Sequence, residues 1–454
     1  MRALHDDEIR RILSLRYAER KRPIGFYPLP STHVAPGEFL THWKPYRQDK
    51  TRVGLVYLHV PFCRQRCGFC RFYPGVHSDE RSHQFVDAAR REIDLWAGRR
   101  ALDPSSGPVQ AVFIGGGTPS ALTARQIETV LRHLADAFVL AADAEITMEW
   151  YPKDAVTEKL SAARENGVDR LSLGIQSWNP RVLEFLGAHH SPADADAVLA
   201  AAAAAGHDNI NIDIMADVSV HAVDDHIDDL RRAIAAGVSM IAVNPLELAA
   251  AAPLSRRRSE ANGDEKRQWL TAASTYLLEE KYEHQRVRNY FRDGRYHRYN
   301  RATTGVLFDI VPVGPGAYGF VGGWPVINAI GFDEWRGRLS EGGDAVTGCA
   351  PPSDDEMRRA FVVNSLLELE IDGVGYQQLF GSSIVDDFPV LSELIAHGCL
   401  LEHGARLVLH SVATEFGDDI STELFSDFQR SAFDAHLSIG RTRQRSQYFP
   451  VAKS

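Results

Sequence analysis

The amino-acid sequence contains few cysteines and no long uninterrupted run of apolar residues. Only five of its 454 residues are cysteine, too few for the disulfide framework that stabilises many small secreted proteins. No apolar stretch reaches the ~18 residues that a membrane span requires, and the first residues are charged rather than signal-like. We therefore expect a cytoplasmic protein without a membrane partner. The net charge of -10 also argues against a nucleic-acid partner, because proteins that bind nucleic acid carry basic surfaces.

Three of the five cysteines lie close together. Cys63, Cys67 and Cys70 fall within eight residues, and this grouping favours a metal site in a reducing compartment. Cys349 and Cys399 stand alone in the sequence. We expect each of these two to be an ordinary buried thiol, since unpaired cysteine is among the most buried residue types.

Most of the chain alternates short apolar runs with longer amphipathic segments. Residues 1–50 combine a polar helical stretch with a segment that contains Pro and Gly, and we expect them to form an extended lead-in rather than core. From Val53 the strand-like runs VGLVYLHV, AVFIGG, AEITMEW, RLSLGIQ, NINIDIM and MIAVNPLEL alternate with five helical segments. Such alternation is typical of a parallel sheet. The sequence therefore predicts an α/β protein built on a partial, TIM-like (β/α)6 barrel.

Three further regions are predicted around this barrel. A β-rich segment follows the six strand-helix units, so the core with this segment spans 51–335. Residues 350–430 alternate helices with the short strand-like runs CLLE and RLVLH, a pattern typical of a small winged-helix-like module. Residues 431–454 form a locally basic tail, which we interpret as solvated.

The clustered cysteines follow directly on the first predicted strand, in YLHVPFCRQRCGFC. Thiolates are the usual ligands of 4Fe-4S clusters, which take four, so three thiolates leave one iron without a protein ligand. S-adenosylmethionine (SAM) can occupy that iron, and one electron from the cluster then cleaves SAM to a 5'-deoxyadenosyl radical. Structural zinc is the alternative, because His59 lies four residues before Cys63 and could complete a Cys₃His set. Against zinc, His59 falls within the predicted strand rather than in the loop.

Candidate SAM-binding residues follow the later strands. Gly115, Gly116 and Gly117 close the second strand, and glycines let backbone N–H groups approach a ligand closely. Polar side chains lie towards the ends of the next three strands: Glu149, Gln176 and Asp213. The glycines could instead form only a tight turn, and the polar residues could be edge groups. Their common position favours one pocket, because such barrels bind ligands at the carboxyl ends of their strands.

Four segments in this order and spacing resemble the HemN-like radical SAM family, the oxygen-independent coproporphyrinogen III oxidases: YLHVPFCRQRCGFC, FIGGGTPSAL, EITMEW and GVDRLSLGIQSWNP. The resemblance covers Val53 to Asn328, and the C-terminal module more loosely. It implies that Cys63, Cys67 and Cys70 bind a 4Fe-4S cluster. It also implies a set of residues that contact SAM: Phe69, Gly116, Gly117, Thr118, Glu149, Gln176 and Asp213, with Tyr57 beside the sulfonium.

Within this family, three segments are most similar to the branch that transfers methyl groups and opens the haem ring anaerobically: GFCRFYPG, GGGTPSAL and VPVGPGAYGFVGG. The same segments resemble the class C methyltransferases and cyclopropanases of antibiotic biosynthesis. The family's oxidase has a further cysteine two positions after the third ligand, where this chain has Phe72. Decarboxylation of coproporphyrinogen is therefore disfavoured.

This sequence departs from the family's pattern at two further places, both in the predicted SAM and substrate pocket. The Gly-Leu-Pro that usually follows the aspartate strand is replaced by Ala216, Asp217 and Val218, which changes the wall next to the substrate. An arginine expected twelve residues after Gln176 is Ala188. Recognition of the SAM carboxylate then falls to the neighbouring His189 or His190, unless these are surface residues.

The resemblance favours methyl or methylene transfer of the class C type. Two SAM molecules bind, one yields the deoxyadenosyl radical, and this radical abstracts hydrogen from the methyl group of the second. The methylene radical then adds to an sp² carbon of a conjugated natural product, giving methylation or cyclopropanation. A base must finish the adduct; candidates near the strand ends are Tyr57, His59, Tyr73, His189 and Glu247, of which we take Tyr57 and His59 as the catalytic pair.

Two alternatives stay open. One is porphyrin or haem chemistry, either methylation that opens the haem ring or oxidative decarboxylation of coproporphyrinogen III; the other is a non-catalytic haem chaperone. An aromatic set is compatible with an apolar conjugated substrate: Phe69, Phe72, Tyr73, Trp150 and Tyr151. Further expected partners are a reductant such as flavodoxin or ferredoxin and a methyltransferase that completes the reaction.

Overall fold

The computed structural model describes residues 5–17, 27–46, 50–70, 75–246, 254, 263–305 and 307–431. Phe72, Tyr73, Glu247 and the tail beyond residue 431 lie outside the described residues, so what the sequence indicates for them stays a prediction. Within the described part, no helix is long and apolar enough to cross a membrane.

The N-terminal segment packs into the folded core, contrary to the expectation of a loose lead-in. It contains α1 (Asp6–Arg16), β1 (Thr32–His33) and α2 (Glu38–His42). Ile9 and Leu13 are fully buried, because their spacing of four residues places both on one face of α1. Phe39 of α2 is buried against the helical layer of the barrel. The expectation was wrong because most residues of α1 are charged or polar, so its narrow apolar face was not recognised in the sequence.

The central part of the chain alternates strands and helices as predicted. In order, its elements are β2 (Arg52–Val60), β3 (Phe62–Cys63), β4 (Gly75–Val76), α3 (Asp79–Ala101), β5 (Ser106–Gly116), α4 (Ala124–Ala137), β6 (Leu140–Trp150), α5 (Thr157–Glu165), β7 (Arg170–Gln176), α6 (Pro180–Leu186), α7 (Pro192–Ala204), β8 (Ile210–Ala216), α8 (Val223–Ala235) and β9 (Met240–Pro245). Strands β2, β5, β6, β7, β8 and β9 pair in parallel in that order. This confirms the partial (β/α)6 barrel.

Alternating side chains divide each strand between two environments. In β2, Val56 and Leu58 pack beneath the surrounding helices. Leu55 lies on the other face, with Tyr57 packed against the same cluster of apolar residues. This period of two separates the helical layer from the barrel interior, so Tyr57 and His59 both project inward.

The remaining elements extend the sheet at both edges, which the sequence did not predict. They are α9 (Gly263–Glu279), β10 (Glu283–Arg286), β11 (Asn289–Phe291), α10 (Arg298–Arg301), β12 (Phe308–Val313), β13 (Tyr318–Val321), β14 (Trp324–Asn328), α11 (Phe332–Ser340) and β15 (Val346–Cys349). Strand β12 pairs in parallel with β2, whereas β11 pairs antiparallel with β9. Among the described residues the sheet therefore has thirteen strands, from β1 at one edge to β10 at the other.

The C-terminal elements form a separate small sheet with its helices. They are α12 (Asp354–Leu367), β16 (Glu370–Asp372), α13 (Gly373–Phe380), α14 (Ile384–Asp387), α15 (Pro389–Ala396), β17 (Leu400–His403), β18 (Arg406–Leu409) and α16 (Gly417–Glu423). The strand order is β16-β18-β17. Phe361 and Leu366 of α12 belong to the same apolar cluster as Leu55 and Ala111 of the barrel interior. The C-terminal elements thus cover the inner face of the barrel.

Candidate active site

The three clustered cysteines lie on the loop that leaves β2 at its carboxyl end. All three are partly exposed. Burial, together with the nearby Cys70 and Cys63 thiols, raises the pKa of Cys67 to about 12. The thiols are therefore close enough to repel one another when ionised. Such a site is stable with its thiolates ionised only when a cation neutralises them, and three thiolates on one exposed loop fit a 4Fe-4S cluster.

His59 does not join the thiols. Its Nδ1 lies 3.0 Å from the Tyr57 hydroxyl oxygen, and a Cβ atom at Gly116 would lie 2.9 Å from its ring atoms. Among the described residues, no group of three His, Cys, Asp or Glu side chains surrounds a single ion. The geometry thus gives no support to a Cys₃His zinc site. A 4Fe-4S cluster needs no such convergence, since each thiolate binds a different iron.

The glycine turn after β5 contacts both the cysteine loop and an acidic side chain. A Cβ atom at Gly117 would lie 2.5 Å from the carbonyl oxygen of Phe62, so a larger residue would push the cysteine loop away. The Gly116 N–H donates to Oε2 of Glu149 at 3.0 Å. The Thr118 hydroxyl donates to Sγ of Cys63 at 3.1 Å. The predicted SAM-binding turn is therefore held against the predicted cluster site.

Glu149 and Asp213 form an acidic pair in the barrel interior. Burial, together with the negative charge of Asp213, raises the pKa of Glu149 to about 8. Burial also raises the pKa of Asp213 to about 6, although a hydrogen bond from Asn211 and the charge of Arg170 lower it. Two buried carboxyl groups that repel each other favour the binding of a cation. The amino and sulfonium groups of SAM are such cations.

Gln176 ends β7 in an unusual backbone conformation. Its φ of 66° lies in the left-handed region, where residues other than glycine are uncommon. A Cβ atom at Gly174 would lie 3.2 Å from the Gln176 Nε2, so the amide folds back over the barrel interior. Asp229 holds the next turn, accepting from the Ser177 hydroxyl at 2.5 Å and from the Trp178 N–H at 2.8 Å. Strain of this kind is concentrated at functional sites.

Tyr57 and His59 form a hydrogen-bonded pair on the inner face of β2. Burial raises the pKa of Tyr57 well above its ordinary value, and burial lowers the pKa of His59 to about 4. A base with so low a pKa is poorly matched to proton abstraction near neutral pH. The geometry therefore suits His59 to orienting Tyr57 better than to removing a proton.

The two neighbouring histidines differ in their contacts, and only His189 touches the cysteine loop. His189 Nε2 is 3.0 Å from the carbonyl oxygen of Arg66, and His190 Nε2 is 2.8 Å from that of Ile175. His190 is buried, so its interpretation as a surface residue was wrong. Trp150 points outward into the helical layer, because it follows the inward-facing Glu149 on the strand.

Phe69 contacts a small apolar cluster beside α6 rather than the described acidic pair. Tyr151 packs edge-on against His190, with ring centroids 5.5 Å apart. Trp150 therefore does not belong to an inward-facing aromatic wall, and the rest of that sequence prediction stays a prediction. Cys349 and Cys399 are buried, as expected for ordinary thiols.

A different set of aromatic side chains lines the interior. Phe113 of β5 lies 5.6 Å from the rings of both His297 and Tyr299, and 6.2 Å from Tyr57, measured between centroids. Tyr299 and Tyr318 are half-buried. Phe113 carried a signal, since it precedes Gly115 by two residues and so shares its face. His297 precedes the four-residue helix α10 and Tyr299 lies within it, and so short a helix shows no periodicity that could have indicated them.

Comparison with known proteins agrees with this site. Residues 57–230 match the family model described as the Radical SAM superfamily. The chain therefore contains a radical SAM domain, and proteins of this superfamily use a 4Fe-4S cluster and SAM. Several curated proteins are similar to this chain in sequence. The chain is 36% identical over 205 residues to the "Heme chaperone HemW" of Mycobacterium tuberculosis, an alignment that covers 44% of this chain and 52% of the relative.

Two further matches extend the picture. The "Anaerobilin synthase" of Escherichia coli O157:H7 is 39% identical over 131 residues, 29% of each protein. The chain thus spans about half the length, or less, of these curated relatives. The solved structure of coproporphyrinogen III oxidase (HemN) from Escherichia coli superposes with a TM-score of 0.75 at 22% identity, over 91% of this chain and 98% of that chain. The two proteins share their fold.

Proposed function

We propose that this chain is a radical SAM enzyme that transfers a SAM-derived methyl or methylene group to an sp² carbon of a planar conjugated substrate. The cluster and SAM, when bound, supply a 5'-deoxyadenosyl radical. The observation that carries the proposal is the direct continuity between the acidic pair and the aromatic interior. A Cβ atom at Gly115 would lie 2.7 Å from a ring carbon of Phe113 and 2.9 Å from Oε2 of Glu149, and the Tyr57 ring adjoins Phe113. A cation-binding site and an apolar ring-binding surface are therefore neighbours.

Each part of the site has a distinct task in this proposal. Cys63, Cys67 and Cys70 would hold the cluster. Glu149 and Asp213 would bind the cationic groups of SAM, since burial has already made both carboxyl groups unfavourable without a counter-ion. The other residues with SAM-binding roles in this proposal are Phe69, Gly116, Gly117, Thr118 and Gln176.

The aromatic interior would hold the substrate and exclude water. Phe113 adjoins Tyr57 and Tyr299 on the inner side of the barrel, and Tyr57, Tyr299 and Tyr318 pack against the apolar cluster that includes α12. Aromatic rings at such separations favour stacked or edge-on contacts with a further ring. A site that excludes water also protects a radical from side reactions. A reductant such as flavodoxin or ferredoxin is needed to start each cycle.

A haem-related function is the second candidate, and the specific observation in its favour is the 36% identity to the M. tuberculosis HemW protein. A tetrapyrrole is itself a planar conjugated ring, so the same aromatic surface suits it. This candidate has two forms: methyl transfer that opens the macrocycle, or haem binding without turnover. Oxidative decarboxylation of coproporphyrinogen is the remaining porphyrin reaction.

One experiment separates these functions. Reduced, reconstituted protein is incubated with methyl-labelled SAM, with and without haem, and the products are identified. Alkyl transfer yields deoxyadenosine together with S-adenosylhomocysteine or methylthioadenosine, and the label moves to the acceptor. Decarboxylation yields deoxyadenosine with carbon dioxide. Tight haem binding without deoxyadenosine would overturn the enzymatic proposal, and Cys67→Ala is the control for products that do not depend on the cluster.

A further inference from the structure

A buried carboxyl group lies behind the end of β2, away from the acidic pair. Glu92 of α3 has no solvent exposure. Its carboxylate accepts three hydrogen bonds from three different elements: from the Gly314 N–H at 2.7 Å, from Asn328 Nδ2 at 2.8 Å and from Trp335 Nε1 at 2.9 Å. Such complete pairing is what a buried acidic group needs to be tolerated. The proposed reaction leaves this group without a task.

Both backbone polar groups of Gly314 are hydrogen-bonded to side chains. Its N–H donates to Glu92, and its carbonyl oxygen accepts from Asn328 Nδ2 at 2.9 Å. Gly314 follows β12 directly and has a φ of 104°, a value outside the range that residues with a Cβ atom adopt comfortably. It begins the segment GPGAYG, in which only Tyr318 has a task in the proposed reaction.

Gly314 also presses on the backbone of His59. A Cβ atom at position 314 would overlap the His59 carbonyl oxygen, and would lie 3.1 Å from the carbonyl carbon and 3.3 Å from the amide nitrogen of His59. On the opposite side, the His59 ring packs on Gly116. His59 is therefore confined between two glycines: Gly314, which follows the neighbouring strand β12, and Gly116, which lies in the predicted SAM-binding turn.

We propose that Glu92 is a positioning residue: by fixing Gly314, it fixes the backbone of His59 and so the hydrogen bond between His59 and Tyr57. The role of that pair beside SAM rests on the proposed function, but the mechanical coupling does not. Hydrogen bonds from three elements hold the carboxylate in place, so it acts as a rigid support. A shift at Gly314 is transmitted directly because its contact with His59 leaves no space.

A purely structural role would act through Trp335, which links α11 to α3. Two glycines of the same turn separate these interpretations. Gly314 and Gly316 both have positive φ, so alanine is strained at either position. Only Gly314 contacts His59; a Cβ atom at Gly316 would have its nearest neighbour, Ile330, at 3.9 Å. Gly316→Ala is therefore the matched control for Gly314→Ala.

The test uses the full chain, first without its cluster. Hydrogen-deuterium exchange of the segment from Leu55 to Phe62 is measured by mass spectrometry for the wild type, Glu92→Gln, Gly314→Ala and Gly316→Ala. We expect this segment to exchange faster in Glu92→Gln and in Gly314→Ala than in the wild type. In Gly316→Ala it should exchange at the wild-type rate. Glu368→Gln removes another fully buried, paired carboxylate, remote in sequence from β2, and should leave this segment unchanged.

The same variants are then reconstituted. We expect the rate of SAM cleavage at saturating SAM to fall at least about tenfold in Glu92→Gln and Gly314→Ala, since small displacements of reacting groups have large effects on rate. Iron content and the KM for SAM should stay near the wild-type values. Should Glu92→Gln fail to fold, the comparison of Gly314→Ala with Gly316→Ala still tests whether the backbone at Gly314 positions His59.

Equal exchange at β2 in Gly314→Ala and Gly316→Ala would overturn the proposal. So would a Glu92→Gln variant that loses thermal stability while its β2 exchange and SAM cleavage remain those of the wild type. If the wild type itself fails to cleave SAM, the proposed function fails, and the exchange comparison still decides whether Glu92 positions His59.

Discussion

The hydroxyl group of Thr118 donates a hydrogen bond to the sulfur of Cys63 at 3.1 Å. One residue belongs to the turn after β5 and the other to the loop after β2. A second link lies beside it, because the Gly117 N–H donates to the carbonyl oxygen of Val60 at 2.7 Å. The two segments with predicted roles in binding SAM and the cluster therefore behave as one structural unit.

Replacing Thr118 by valine should lower the reduction potential of the reconstituted cluster. The hydroxyl group stabilises negative charge on the Cys63 sulfur, and the reduced cluster carries one more electron, so losing the donor disfavours reduction. A potentiometric titration followed by electron paramagnetic resonance measures the shift. Thr129→Val, whose hydroxyl donates within α4 to Arg125, is the control. An unchanged potential in Thr118→Val would argue that Cys63 is not a cluster ligand.

Alanine at Cys63, Cys67 or Cys70 should abolish both the bound cluster and SAM cleavage. Each change leaves two thiolates, which are too few to retain the cluster with one open iron. Iron and sulfide analysis, visible absorbance and deoxyadenosine formation measure the result. Cys349→Ala removes a buried thiol elsewhere and should keep the wild-type cluster content. Full activity in any of the three loop variants would contradict the cluster assignment.

The apoprotein should gain stability from Glu149→Gln as the pH rises. Burial raises the pKa of Glu149 from 4.5 to about 8 in the folded protein, so between these values the folded state keeps a proton that the unfolded state releases. The contribution of Glu149 to stability is therefore fully present below about pH 4.5 and is lost as the pH rises towards about 8. Melting curves should show little difference from the wild type at pH 5 and a higher melting temperature for Glu149→Gln at pH 8.

The matched control for that experiment is Glu158→Gln, an exposed position in α5, which should show no such pH dependence. The reconstituted Glu149→Gln protein should bind SAM more weakly, since the site loses a carboxylate facing a cation. A variant that is less stable than the wild type at pH 8 would contradict the burial argument.

Alanine should have opposite effects at two glycines. At Gly117 it collides with the Phe62 carbonyl oxygen, so we expect a displaced cysteine loop and reduced iron content after reconstitution. At Gly98, within α3, a Cβ atom has no neighbour within 4 Å, and alanine should stabilise the helix by about 0.5–1 kcal/mol. Chemical denaturation and iron analysis of both variants check this pair. Equal iron content in both would show that the turn tolerates displacement.

The sequence predicted the six barrel strands because their apolar runs are long and separated by helical segments. It also predicted that Glu149, Gln176 and Asp213 lie towards one edge of the sheet, since the strand ends of a parallel sheet meet there. Strand β12 was not recognised as a barrel neighbour, because Pro312 interrupts its pattern and proline normally indicates an edge strand. The inward position of Tyr299 depends on packing between distant parts of the chain. No local pattern encodes such a contact.

The apolar cluster that joins Leu55 and Ala111 to Phe361 and Leu366 affects the order of events during synthesis. The cysteine loop is translated within the first seventy residues, whereas the side chains that cover the barrel interior emerge some three hundred residues later. A nascent chain therefore contains the cysteine loop long before α12 can bury the inward-facing side chains of β2 and β5. Until α12 has been synthesised, these apolar side chains stay exposed to water, so the barrel cannot complete its fold before the C-terminal elements are present.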